Sequence, residues 1–348
     1  MPAVEAKTPK TEPESWIAKL NAYRQASPWR GTFELVITVV PFALAWVAML
    51  LAVDFEQYWL YALLLPPTAG LLVRLFMIQH DCGHGAFFPN TAGNNWTGRV
   101  ISVLTLTPYD VWRRAHAIHH ATAGNLDRRG IGDVDTLTVR EYQARSRWGR
   151  FAYRLYRNPA VLFGLGPIYL FILQSRVPLG FMRKGWTPWL SAMATNLAIA
   201  VGTGLIVWTL GPAALLMVHL PVVLLGAAAG VWLFYVQHQF EGTHWSGSEN
   251  WNFYDAALHG SSYYVLPRIL RWFTANIGMH HVHHLSSRIP YYRLPEVLRD
   301  HPEPNNVSRL TLWQSLKCVR LTLWDESQRR LISFKEMRAL YGTGGALA

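Results

Sequence analysis

The run GWTPWLSAMATNLAIAVGTGLIVWTLGPAALLMVHLPVVLLGAAAGVWLFYVQHQF, Gly185 to Phe240, holds 56 consecutive residues without Asp, Glu, Lys or Arg. One helix needs about 20 apolar residues to cross a bilayer core, so this run is long enough for two crossings. Gly211-Pro212 supplies the turn between them, which places spans at Trp189–Leu210 and Ala213–Tyr235. An earlier pair reads the same way. Leu35–Val53 is uncharged, and Trp59–Ile78 is apolar apart from Arg74, with a kink expected at Pro66-Pro67. The linker Asp54–Tyr58 joins them. The residues read as an all-α integral membrane protein with four transmembrane helices in two hairpins.

Composition agrees. Of 348 residues only 15% are charged and 51% are hydrophobic, against roughly 25% charged in a soluble domain. Cys82 and Cys318 are the 2 cysteines, too few for a disulfide scaffold, a four-cysteine zinc site or a cysteine-held iron–sulfur cluster. The net charge of +11 is read through its distribution. Neither short linker carries Lys or Arg, while the N-terminal segment and the two large polar blocks carry all but Arg74. The positive-inside rule therefore puts both termini and both blocks in the cytoplasm. The basic excess reflects topology and anionic-lipid contact, and no nucleic-acid partner is expected. Trp59, Trp186, Trp189 and Trp208 read as interfacial belt residues. The opening MPAVEAKTPKTEPESW has no apolar core of a signal peptide, and the tail from Tyr341 reads as loose. Asn158–Ser175 is uncharged but interrupted by Gly164, Gly166 and Pro167, and is expected to be interfacial or re-entrant.

The 14 histidines are not scattered. His80-Asp81-Cys82-Gly83-His84 places two imidazoles at i and i+4, on one helical face. His116-Ala117-Ile118-His119-His120 and His280-His281-Val282-His283-His284 share the HxxHH spacing. His281 points about 100° away from His280, so it is set aside. His238 follows the last span. A four-coordinate zinc would leave half of this set unused; eight or nine imidazoles suit two open-sited ions. Hairpin topology brings all three windows and His238 to one membrane face. His219, inside the last span, reads as a neutral histidine bonded to backbone.

HDCGH, HAIHH and HHVHH, flanked by ATAGNLDRRGIGDVDTLTVREY, FYVQHQFE and GSSYYVLPRILRWFTANIG, resemble the membrane fatty acid desaturases. The nearest likeness is to the bacterial and plastid acyl-lipid desaturases of the Δ12/ω6 type, over roughly residues 35–300. Alkane hydroxylases and carotenoid hydroxylases or ketolases share the pattern and stand as alternatives. The resemblance implies a cytoplasmic helical cap holding a non-haem di-iron site over the four spans. It implies iron ligands at His80, His84, His116, His119, His120, His280, His283 and His284, with His238 as the extra one. It further implies O2 as co-substrate, a long-chain acyl lipid or acyl thioester as substrate, and a bacterial inner-membrane location. Two departures bear on substrate and double-bond position: Gly242 and His244 in FEGTHW, and Asp135 in GDVDTLTV.

Imidazole N–H groups around a metal need carboxylate or carbonyl partners, for which Asp81, Asn125, Asp127 and Asp133 are candidates, with His244 as a further contact. The sequence carries no Gly-rich dinucleotide fingerprint, cysteine cluster or HPGG haem motif, so electrons are expected from a separate ferredoxin, rubredoxin or cytochrome. The basic cytoplasmic face suits an acidic carrier. The chain divides into a polar segment 1–32, a membrane desaturase domain 33–300 and a cytoplasmic segment 301–348. Two more distant readings remain. A bis-histidine haem protein would place its histidines within the spans, and a metal transporter would want polar groups at mid-membrane.

Overall fold

The computed structural model describes residues 18–302 and 307–342. Most of the polar opening and of the loose tail therefore lies outside the described residues. Among the described residues, four helices are long and apolar enough to cross a membrane: α1 Pro28–Asp54, α2 Tyr58–Gly83, and, later in the chain, Trp186–Leu210 and Ala214–His238. Ser27 starts α1 by accepting from Arg30 N, with Pro28 pre-set for the first turn. Valines and leucines such as Val40, Leu44 and Leu51 stand exposed along α1. So broad an apolar surface is suited to lipid and costly in water.

The helices outrun the spans read from sequence. At 1.5 Å per residue, the 26 residues of α2 rise about 39 Å, against roughly 30 Å of hydrocarbon. No glycine stops the helix before Gly83, and it runs through Pro66-Pro67 without ending. The helix is thus longer than one crossing requires, and His80 lies in its last turn. The last span likewise continues past Tyr235 to His238.

Between the two apolar pairs lie α3 Thr91–Leu104, α4 Tyr109–Thr122, α5 Arg147–Tyr156 and α6 Val161–Arg176. The last two are bent by 62° relative to each other. Leu165, Tyr169 and Leu173 on α6 are exposed, an apolar face on the run expected to lie at the interface, and Trp148, Phe151 and Leu155 on α5 before it are exposed as well. With Trp186–Leu210 as α7 and Ala214–His238 as α8, the chain continues with α9 Phe253–His259, α10 Arg268–Phe273, α11 His280–Leu285 and α12 Leu294–Asp300, and α13 Phe334–Tyr341 comes later.

The all-α expectation needs one correction. Five short strands are present among the described residues: β1 Leu137–Thr138, β2 Tyr263–Val265, β3 Arg309–Thr311, β4 Leu323–Asp325 and β5 Arg330–Ile332. β2 and β3 pair in parallel, and β4 lies between parallel β1 and antiparallel β5. These ladders tie the segment after residue 300 to the polar layer. Tyr153 Oη donates to Thr322 O at 2.6 Å, and Arg157 Nη2 to Leu321 O at 2.8 Å. Runs of two or three paired residues carry too little periodicity to be read from sequence.

Candidate metal centre

Three helix ends and one short helix meet at the site: the ends of α2 and α8, the last turns of α4, and α11. Their nine imidazoles sort into two groups. His80, His84, His116, His120 and His283 form one; His119, His238, His280 and His284 form the other. Within each group the ligand-capable nitrogens lie within 4.8 Å of one another. Helical geometry explains the partition. His116 and His120 are i and i+4 and face one group, while His119, about 100° from His120, turns to the other. In α11 the assignment reverses: His280 and His284 share one group and His283 crosses to its neighbour. The sequence expectation that box histidines and His238 converge matches this geometry, and His281 instead sits 5.6 Å from the Tyr263 ring.

The spacing suits an ion in each group. In the first, His116 Nε2 and His283 Nε2 each lie 3.1 Å from His120 Nε2. In the second, the steps from His119 to His238, to His280 and to His284 are 3.1, 3.0 and 3.1 Å between Nε2 atoms. Burial first, and then neighbouring imidazoles, hold His84, His116, His120, His280, His283 and His284 well below the ordinary histidine range. Neutral rings are the metal-binding form.

Outer nitrogens are held in three places. His119 Nδ1 lies 2.5 Å from Asp133 Oδ1, His80 Nδ1 lies 3.2 Å from Asp81 Oδ1, and His238 Nδ1 donates to Gly260 O at 3.3 Å. Gly260 was not among the sequence candidates, because a backbone carbonyl leaves no mark in residue type. Three further candidates make hydrogen bonds elsewhere. Asn125 Oδ1 accepts from Asp127 N at 3.0 Å and Ser248 Oγ at 3.2 Å, and Asp127 Oδ2 accepts from Ser248 N at 2.7 Å. They bind two loops together, and the Ser248 bonds hold the Asp127 carboxyl below its usual range. His244 N donates to His259 O at 3.0 Å. Gly242, one of the departures, has φ of 86°, a backbone conformation that disfavours a side chain.

Two aromatic contacts were also missed. Trp112 stacks on His116 at 4.7 Å between ring centres and reaches Phe76 of α2 edge-on at 5.4 Å. A cavity of about 30 Å³, room for about one water, lies beside the second group, lined by His119, Asp133, Phe234, His238, Gln239 and Trp245 among others.

Four membrane-capable helices under two paired histidine groups define a polytopic membrane protein with a site compatible with two metal ions. The model of the fatty acid desaturase family matches residues 57–313, and the chain belongs to that family of oxidoreductases. It is 43% identical to a fatty acid desaturase of Bacillus subtilis over 323 residues, covering 92% of this chain and 90% of that one. It is 30% identical to an sn-1 acyl-lipid omega-3 desaturase (ferredoxin) of Synechocystis, over 70% of this chain and 68% of that one. An endoplasmic reticulum omega-3 fatty acid desaturase of Vigna radiata is 25% identical, over 71% of this chain and 66% of that one.

Proposed function

We propose that this chain is a membrane di-iron desaturase that inserts a cis double bond into a long acyl chain of a lipid, consuming O2 and two electrons from a separate carrier. The observation that carries the reading is the division of nine imidazoles into groups of five and four on helix ends projecting from the apolar layer. His80, His84, His116, His120 and His283 would hold one iron, and His119, His238, His280 and His284 the other. Bound there, the two irons would supply the oxidising power from O2 that removal of hydrogen from an unactivated methylene requires.

The chain's own residues orient and shield. Asp133 and Asp81 fix the tilt and tautomer of His119 and His80, so that each presents Nε2 inward. His119, His238, His280 and His284 are all buried, while His84, His116 and His120 are half-buried, so the four-histidine group is the better shielded from bulk water, which limits side reactions there. Trp112, touching both Phe76 of a span and His116, lies where an acyl chain rising along α2 would approach the site. Placement of that chain to sub-ångström tolerance separates loss of a second hydrogen from hydroxylation.

Electrons come from outside the chain, and the basic polar blocks favour an acidic carrier such as ferredoxin; the Synechocystis relative bears that carrier in its name. The site and both termini lie on the cytoplasmic side by the distribution of Lys and Arg. Expression in a host with simple lipids, followed by gas chromatography of its acyl chains, tests the reading. New unsaturated chains are expected. Hydroxylated chains, or altered carotenoids with unchanged acyl chains, overturn it.

A further inference from the structure

Arg74 and Glu34 are charged residues inside membrane-capable helices, and both are fully enclosed, at 2% and 3% exposure. A buried ion pair is weak evidence for stability, because desolvation offsets its attraction. An intramembrane charge calls for a specific role. The contacts of Arg74 supply one. Its Nη2 donates to Glu34 Oε2 on α1, and its Nε donates to Thr38 Oγ1 at 3.0 Å. Its Nη1 donates to Trp272 O, and its guanidinium carbon lies 4.2 Å from the centre of the Trp272 ring. Tyr291 Oη donates to the same Glu34 Oε2 at 3.1 Å.

Trp272 and Tyr291 are the two ends of one segment, and the third histidine window lies between them. We propose that the Arg74–Glu34 pair is a clamp that anchors both ends of residues 272–291 to the membrane hairpin, making Arg74, Glu34 and Tyr291 positioning residues for His280, His283 and His284. The inference rests on the metal reading above for its consequence, but not for its geometry.

The segment needs such a clamp. Ala275 and Asn276 are consecutive residues with φ of 48° and 58°. Left-handed backbone at non-glycine positions persists only where its surroundings over-determine it. Asn276 Nδ2 donates to Tyr291 O at 3.1 Å, closing the segment on itself. The clamp also reaches the first window, since Tyr291 N donates to Asp81 Oδ2 at 2.6 Å while the other oxygen of Asp81 faces His80 Nδ1. One buried guanidinium thus fixes the frame in which ligands from two windows meet.

Two variants test this. Tyr291→Phe removes one hydroxyl, and Glu34→Gln combined with Arg74→Met removes the clamp without stranding a buried charge. Hydrogen exchange of the metal-free chain in detergent is the first readout. The clamp predicts exchange of 273–290 about tenfold faster in both variants, with α1, α2 and α4 unchanged. The second readout is Co2+ loading. Affinity should fall about tenfold, and the ligand-field absorption of the loaded chain should shift. Unchanged exchange in 273–290, or equal loosening throughout the chain, overturns the clamp. A wild-type chain that takes up no Co2+ or iron overturns the metal reading instead, and the exchange comparison still decides the clamp.

Discussion

Asp133 Oδ1 sits 2.5 Å from His119 Nδ1, a contact made across 14 residues by a loop folded back onto its own helix. The fold-back turns at Gly130 and Gly132, whose φ values are 115° and 79°. A Cβ on Gly132 would stand 3.1 Å from Ala115 O and 3.2 Å from His119 Cβ. The loop therefore lies directly against the second window. Asp133→Asn keeps the shape and removes the charge that fixes His119. Metal affinity of the four-histidine group should fall between about 10- and 100-fold with the five-histidine group unaffected. Titration of metal-free protein with Fe2+ checks this; two undiminished binding steps would contradict it.

His283 and His284 are neighbours in sequence but belong to different groups. Each single substitution to Ala should leave about one iron per chain where the wild type holds about two, and the double variant should bind weakly at both. Elemental analysis of purified protein distinguishes this from a shared site, in which either single change would empty both positions together.

The membrane helices and the convergence of the histidine windows were legible because both rest on strong local patterns, a charge-free run and i, i+4 spacing. Allocation of histidines between groups was not, because it depends on the rotation of α4 against α11, which no single segment encodes. His119 and His120 look equivalent in HAIHH until the facing helix is present. Arg74 stood out in the sequence, but Glu34 lies one residue before the span read at Leu35–Val53. Only the packing of α1 on α2 shows that the two are partners. Asn125 and Asp127 have the right chemistry for imidazole N–H groups, yet Ser248, more than a hundred residues away, takes their bonds.

Gly98 on α3 faces the ring of Tyr109 at the start of α4, and an added Cβ would come within 2.2 Å of it. Tyr109 is fully buried and donates to Cys82 O at 2.8 Å, so the ring cannot swing aside without losing that bond. Gly98→Ala should destabilise the protein by about 1–3 kcal/mol, as overpacking does. Thermal unfolding in detergent should show a lower midpoint, while a conservative exposed change on the same helix, Val100→Leu, leaves it in place. An unchanged midpoint in Gly98→Ala would mean that α3 and α4 are not packed as described.

The bent pair α5 and α6 has enough apolar length to count as a fifth crossing, and the proposed topology excludes that. Between the second window and the third lie α5–α6, α7 and α8, and His120 Nε2 of the second and His283 Nε2 of the third are 3.1 Å apart. Two windows in one site require an even number of crossings between them. If α7 and α8 both cross, α5–α6 does not, and its exposed Trp148, Phe151 and Leu155 would lie along the interface. Cysteine labels at Arg145 and Lys184, on either side of the bent pair, should therefore react from the same face, together with one at Glu326. Labels at Glu56 and Gly211 should react from the opposite face. Cys82 and Cys318 are buried, which keeps background labelling low. On the proposed orientation, which follows the distribution of Lys and Arg, the first face is the cytoplasmic one. Opposite-face labelling of Arg145 and Lys184 would break the shared site, since it would strand the second window across the bilayer from the third.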